Sequence, residues 1–183
     1  DLFRAIKSRY PSFKLHALSP PEVLHLSRMS KLPVPEVLRR LIAAGLDSVP
    51  GGGAEILVDR VRKQLNCYSK ASSDEWLEVM RQAHLAGLRT TATMMYGTVE
   101  TDEERLEHML RLRALQDETG GFTAFITWSY QPEHTELAGS EATGIDYLRT
   151  LAPSRIVLDN FPSLQASWVT QGGKGGQLSL AYC

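Results

Sequence analysis

Short apolar runs alternate with amphipathic segments along nearly the whole chain, and this alternation most constrains the fold. Strand-like runs are expected at Phe13–Leu18, Leu46–Val49, Leu88–Tyr96, Phe122–Trp128, Arg155–Leu158 and Leu178–Tyr182. Between them lie helical patterns with their own punctuation. Ser19-Pro20-Pro21-Glu22 has the spacing of a capping box with proline in the first turn. Pro33–Ala44 places Val34, Val37, Leu38, Leu41 and Ile42 on one face, and a shorter helix fits Ile56–Gln64. Ser73–Ala86 is Ser-led and stopped by Gly87, with Trp76, Leu77, Met80 and Ala83 facing inward. Thr101–Thr119 carries Asp102, Glu103 and Glu104 in its first turn, where the helix dipole favours anions. A further helix is expected near Thr143–Ala152, a helix or turn at Ser163–Val169, and loops at Ser129–Ser140 and Gly172–Gly176.

Strands alternating with helices imply crossover connections and a parallel sheet, hence an α/β fold. Both a doubly wound sheet and a (β/α) barrel satisfy the pattern. The loops after the strands are longer and less regular than those before them, which suits a barrel with its site at the strands' C-terminal ends. On this reading the chain holds about six of eight βα units in one incomplete domain. It begins inside a helix at Leu2, Phe3 and Ile6 and ends on a strand. Two open sheet edges would then favour pairing with a second copy, a homodimer.

Composition narrows the function classes. The 183 residues are 43% hydrophobic with net charge −1, enough for one core and without the basic surplus that nucleic acid or an anionic membrane attracts. No apolar run approaches the roughly 18 residues of a membrane span, and no signal peptide is visible. With only Cys67 and Cys183 the chain is no disulfide scaffold, so a reducing cytoplasm is expected.

A barrel would aim the strand ends at one cavity: His16 and Ser19; Gly51, Gly52, Gly53 and Glu55; Tyr96 and Gly97; Trp128, Tyr130 and Gln131; Asp159 and Asn160. Each has a plainer use. His16 fits a hydrogen-bonded core histidine, Glu55 a helix cap, Trp128 and Tyr130 rim packing, Asp159-Asn160 a turn pair, and Lys70 a solvated lysine. Three successive glycines fit a turn as well as a backbone that a ligand approaches closely. His25, His84, His108 and His134 lack metal-ligand spacing and read as structural helix-surface or loop residues. No metal site is expected among these residues.

The ordered motifs Leu15–Glu22, Pro50–Leu57 and Thr91–Gly97 with Glu100 resemble the radical S-adenosylmethionine enzymes. The group is the one containing the futalosine-pathway enzymes of menaquinone biosynthesis and the deazaflavin synthases. Phe125–Pro132, Asp159–Ser163 and Ser167-Trp168 are similar to its futalosine cyclase branch; the alternatives are an aminofutalosine synthase or deazaflavin synthase relative, or a cluster-free fragment that only binds a nucleoside-like ligand. The resemblance implies S-adenosylmethionine, a 4Fe-4S cluster on a CxxxCxxC loop after the first barrel strand, a reductant and a small-molecule substrate. No such cysteine motif occurs in the chain, which is similar to the family from its third strand onward. The resemblance also implies a 5′-deoxyadenosyl radical that takes hydrogen from a substrate ribose. Gly51, Gly52, Gly53 and Glu55 would lie along S-adenosylmethionine, Lys70 near its carboxylate, and Tyr96-Gly97 beside its adenine. Ser19, Trp128, Tyr130, Gln131, Asp159 and Asn160 would wall the substrate, with His16 as proton acceptor.

Overall fold

The computed structural model describes residues 1–137 and 141–182; Ala138–Ser140 of the expected polar loop, and Cys183, lie outside the described residues. The elements are α1 (Leu2–Arg9), α2 (Pro20–Ser30), α3 (Val34–Ala43), β1 (Ser48–Val49), α4 (Asp59–Gln64), α5 (Ser73–Leu85), β2 (Arg89–Tyr96), α6 (Asp102–Thr119), β3 (Phe122–Ser129), α7 (Gly144–Val157), β4 (Leu164–Ala166) and α8 (Trp168–Ser179). All sheet pairings are parallel, in the order β1-β2-β3-β4. A doubly wound sheet reverses its strand order at a switch point; this one advances one strand at a time, as a barrel does.

Register divides the sheet into two faces. Ala92, Met94 and Tyr96 of β2 stand beside Phe125, Thr127 and Ser129 of β3 and are buried. Here the helices pack, and here the core lies: Val49, Met94, Phe122 and Phe125 with Trp76, Met80, Leu112 and Leu151. Phe122 stacks on Phe161 at 5.2 Å between ring centroids and on Trp76 at 6.5 Å. Truncating such a ring to alanine costs about 3–5 kcal/mol. Phe122 and Phe125 are three apart and still share this face, because the β2–β3 register shifts between Thr90 and Thr91. On the opposite face Thr91, Thr93 and Met95 stand beside Ala124, Ile126 and Trp128. Apart from Ala124 these side chains are only partly buried, so this face is the more open one. A sheet packed by helices on one side and more open on the other, wound in sequence order, is an arc of a barrel whose open face is the interior.

The helix signals are realised as chemistry. Glu22 accepts hydrogen bonds from the N–H and hydroxyl of Ser19 at 2.7 and 2.6 Å. Ser72 and Glu75 close the same reciprocal cap on α5, as do Thr101 and Glu104 on α6.

The strand expectations fare unevenly. Phe13–Leu18 forms one bridge, His16 to Ser48, rather than a full strand. Arg155–Leu158 is not a strand: α7 runs through Pro153 as far as Val157. Pro153 is exposed, so the carbonyl it leaves unbonded can face water, while Thr150 and Ser154 hydroxyls bond back to the carbonyls of Asp146 and Thr150. The strand that does form is Leu164–Ala166, inside the segment expected as helix or turn. Gly172–Gly176 is not a loop but the middle of α8, broken only at Gly172 (φ 71°), and Leu178–Tyr182 is the end of that helix and a turn. The sheet therefore has four strands and one bridging segment among the described residues, not six strands.

Candidate active site

The loop after β1 runs along the edge of β2, and its carbonyls are engaged by the protein itself. The carbonyls of Gly51, Gly52, Gly53, Ala54 and Glu55 accept, in turn, from the Thr93 hydroxyl (2.6 Å), the Trp76 indole N–H (3.2 Å), Arg62 Nη2 (3.1 Å), Arg62 Nη1 (2.5 Å) and the Met95 N–H (3.0 Å). Arg62 is fully buried, and its Nε donates to Ala71 O at 2.9 Å. It is the residue that sequence reasoning missed. Its only signal was an arginine on the short helix after the loop, seven residues beyond Glu55. The Gly52 and Gly53 N–H groups donate to no partner among the described residues.

The three glycines have different reasons. A Cβ on Gly51 would lie 2.6 Å from Ala92 Cα and 2.7 Å from Thr91 O, so the close approach there is to β2 itself. Gly53 has φ +76° and would meet Pro21 Cγ at 2.5 Å. Gly52 alone has room, its nearest neighbour being Ser19 Cβ at 3.5 Å. Two non-glycine residues in the neighbouring turns, Leu18 (φ 63°) and Glu55 (φ 46°), are also left-handed. Such strain persists only where surrounding contacts over-determine it, as at ligand sites.

Ser19, Pro21, Glu22, Gly53, Glu55, Arg62, Cys67 and Lys70 line one cleft of about 230 Å³ at the C-terminal end of β1. Glu55 is half-buried, and its carboxylate takes no hydrogen bond from the described residues. Burial pushes its pKa up, while the charges of Arg62 and Lys70 pull the other way. Lys70 is exposed and forms no ion pair among the described residues. A carboxylate and an ammonium thus face one cleft without pairing to each other. Cys67 is buried, its thiol pKa raised mainly by burial.

The next strand end is a turn organised by a carboxylate. Glu100 has no exposed side-chain surface. It accepts from the Gly97 N–H (2.6 Å), the Thr98 N–H (2.9 Å), the Thr98 hydroxyl (2.7 Å) and Arg105 (2.8 Å). Burial works to raise its pKa, but these donors hold it below the ordinary carboxylate value. Gly97 itself is left-handed at φ +89°. Tyr96 points away from the open face, fully buried under the Arg105 guanidinium 5.0 Å from its ring, and burial raises its phenol pKa.

The remaining expected residues separate. Trp128 stands on the open face beside Met95. His16 reaches Ser48 Oγ at 2.7 Å from Nδ1, and partial burial lowers its pKa, keeping the ring neutral. Tyr130 is buried, its hydroxyl spent on Thr135 and on Leu137 O. Gln131 donates to the carbonyl and hydroxyl of Ser129. Asp159 and Asn160 lie at the opposite end of the sheet, because a helix rather than a strand precedes them. Asp159 pairs with Arg113 at 2.5 Å; the Asn160 side chain donates to Arg113 O and Asp117, and its main-chain carbonyl accepts from Gln116. His84 and His108 are structural as expected, but not at the surface. His84 bonds Thr119 and Thr90, and the fully buried His108 accepts from the Leu57 N–H at 2.9 Å.

No group of three or more His, Cys, Asp or Glu side chains capable of holding a metal occurs among the described residues, so they do not fit the cluster. No described helix is long and apolar enough to cross a membrane.

Residues 119–182 match the CofH/MqnC C-terminal region. The cyclic dehypoxanthine futalosine synthase of Streptomyces coelicolor is 49% identical over 98% of this chain and 45% of its own length. The aminodeoxyfutalosine synthase of Thermus thermophilus is 48% identical over 100% and 50%. The 5-amino-6-(D-ribitylamino)uracil–L-tyrosine 4-hydroxyphenyl transferase 1 of Methanosarcina acetivorans is 50% identical over 96% and 49%. The chain spans about half the length of the curated relatives it matches. Residues 1–112 match the radical SAM superfamily, which implies S-adenosylmethionine and a 4Fe-4S cluster as cofactors, and the chain belongs to that superfamily.

Proposed function

We propose that this chain is the part of a radical S-adenosylmethionine enzyme that seats S-adenosylmethionine and substrate, and that its reaction is cyclisation of dehypoxanthine futalosine on the futalosine route to menaquinone. The observation that carries the reading is the unpaired Glu55 carboxylate facing the same cleft as the unpaired Lys70 ammonium. The amino-acid end of S-adenosylmethionine offers the complementary ammonium and carboxylate. Lys70 takes the carboxylate, Glu55 the ammonium, and the free Gly52 and Gly53 N–H groups further oxygen acceptors. Once bound there and given one electron by a reduced cluster held outside these residues, S-adenosylmethionine would supply the hydrogen-abstracting chemistry of the reaction. Trp128 and Met95 offer the substrate a flat apolar surface that excludes water. His16, hydrogen-bonded to Ser48 with its pKa lowered by partial burial, is a candidate acceptor for the proton released on ring closure, at the end of the sheet away from Trp128.

Relatives of three different activities are equally similar, so the substrate is decided by experiment. The full-length protein, reconstituted anaerobically with iron and sulfide, is given S-adenosylmethionine, reductant and each relative's substrate in turn. 5′-Deoxyadenosine formed only with dehypoxanthine futalosine supports the reading; formation only with another substrate overturns it. Glu55→Gln and Lys70→Met should each raise the KM for S-adenosylmethionine roughly tenfold or more, the scale of a lost charge-assisted contact.

A further inference from the structure

Gln165 belongs to none of the motifs that suggested function, yet the register of β4 puts it on the barrel's interior face. Leu164, Gln165 and Ala166 pair with Phe125, Ile126 and Thr127. Phe125 and Thr127 face the helices, and Leu164 is buried with them. Gln165 stands beside Ile126, which in turn stands beside Thr93. It is exposed, and its carboxamide forms no hydrogen bond with the described residues. At a rise of roughly 3.3 Å per residue, it lies about 7 Å down the sheet from the level of Trp128 and Met95, one strand across from Trp128 and two from Met95.

Its neighbours make the position informative. Thr91 and Thr93, the polar side chains of this face on β2 nearest to it, are committed to the Gly51 N–H and carbonyl, and Arg89, at the N-terminal end of β2, donates to Gly120 O at 2.8 Å. Tyr130 and Gln131 are turned into contacts of their own segment. Met95, Ile126 and Trp128 are apolar or aromatic. The side chains immediately around Gln165 carry no formal charge, the cation of this face being Arg89 at the N-terminal end of β2. A carboxamide offers one acceptor and two donors without charge. It suits a neutral group that both donates and accepts, such as a hydroxyl or an amide edge, and it is a poor partner for a carboxylate.

We propose that Gln165 is a substrate-positioning residue, hydrogen-bonding a neutral hydroxyl or amide group of the ligand whose flat portion lies on Trp128 and Met95. This rests on the reading of the open face as the substrate side of the enzyme. Equilibrium titration calorimetry of the reconstituted full-length protein tests it, with dehypoxanthine futalosine and 5-amino-6-(D-ribitylamino)uracil as probes and S-adenosylmethionine as reference. Gln165→Leu should weaken the probe that wild type binds by roughly three- to tenfold, the scale of one neutral hydrogen bond, with S-adenosylmethionine affinity unchanged. Gln165→Glu keeps an acceptor and should stay within about threefold of wild type. Unchanged probe affinity in Gln165→Leu, or parallel loss of probe and S-adenosylmethionine, overturns the inference alone. Gln165→Glu weaker than Gln165→Leu overturns the neutral class of ligand group. Wild type binding neither probe overturns the reading of the open face and this inference with it. Gln165→Asn, compared by thermal melting, serves where Gln165→Leu fails to fold.

Discussion

Gly51 and Gly52 are adjacent in sequence and should respond oppositely to the same methyl group. In Gly51→Ala the new Cβ meets β2 backbone, Ala92 Cα at 2.6 Å and Thr91 O at 2.7 Å, and neither contact is the end of a flexible side chain. The loop must move off β2. Overpacking of this kind costs about 1–3 kcal/mol. The movement also strains the Gly51 N–H bond to Thr91 (3.0 Å) and the Thr93 bond to Gly51 O (2.6 Å), at about 1 kcal/mol each. The sum is about 3–5 kcal/mol, a large fraction of a domain stability of about 5–15 kcal/mol. Gly52→Ala meets nothing nearer than Ser19 Cβ at 3.5 Å and lies outside the left-handed region, so it should fall within about 0.5 kcal/mol of wild type. Urea denaturation of the full-length protein followed by circular dichroism measures both. Equal losses in the two variants, or a neutral Gly51→Ala, would refute the claim that Gly51 is required by β2 rather than by a ligand.

Other outcomes follow from the same contacts. Glu100→Gln removes the buried charge opposite Arg105 and should cost about 3 kcal/mol while weakening S-adenosylmethionine binding, read by melting and calorimetry together. Asp159→Asn and Asn160→Ala should lower the melting temperature yet leave kcat/KM within about twofold, since both residues dock on α6 at the far end of the sheet. Burial holds His84 down to about 4 and His108 to about 3, below the ordinary 6.5. Both are neutral in the fold, so their contribution is intact above pH 6.5 and is lost as pH falls towards 4, at about 1.4 kcal/mol per pH unit per histidine. Denaturation midpoints measured from pH 7 to 4.5 should show this slope, and His84→Gln should shed one histidine's share; an unchanged slope in that variant would contradict the assignment.

The parallel α/β class and most helices were legible because their signals are local: the capping box at Ser19, the Ser-led start of α5, the acidic first turn of α6, and apolar faces at helical spacing. The C-terminal third misled where local signals oppose tertiary context. Pro153 looks like a helix end but sits on an exposed turn of α7 that hydroxyl bonds support. Gly176 looks like loop, but a Cβ there would lie 2.8 Å from Trp168 Cβ, so the glycine lets α8 pack on itself. β4 is three residues long, too short to show a period. Of the residues singled out in the sequence, Ser19, Gly53, Glu55 and Lys70 line one cleft, whereas Arg62 behind the loop becomes visible only through its burial and the placement of Gln165 only through register.

Arg62 gives the loop above it a particular thermodynamic character. Its guanidinium, with Trp76, Thr93 and Met95, satisfies five consecutive carbonyls before any ligand arrives. A ligand settling on the other side therefore need not freeze the main chain, and the entropy of ordering those residues is charged to folding rather than to binding. Side chains projecting from the rim can then be exchanged for a different substrate without re-forming the ledge they stand beside. One scaffold with a preset ledge and a replaceable rim is consistent with near-equal similarity to relatives that bear three different enzyme names.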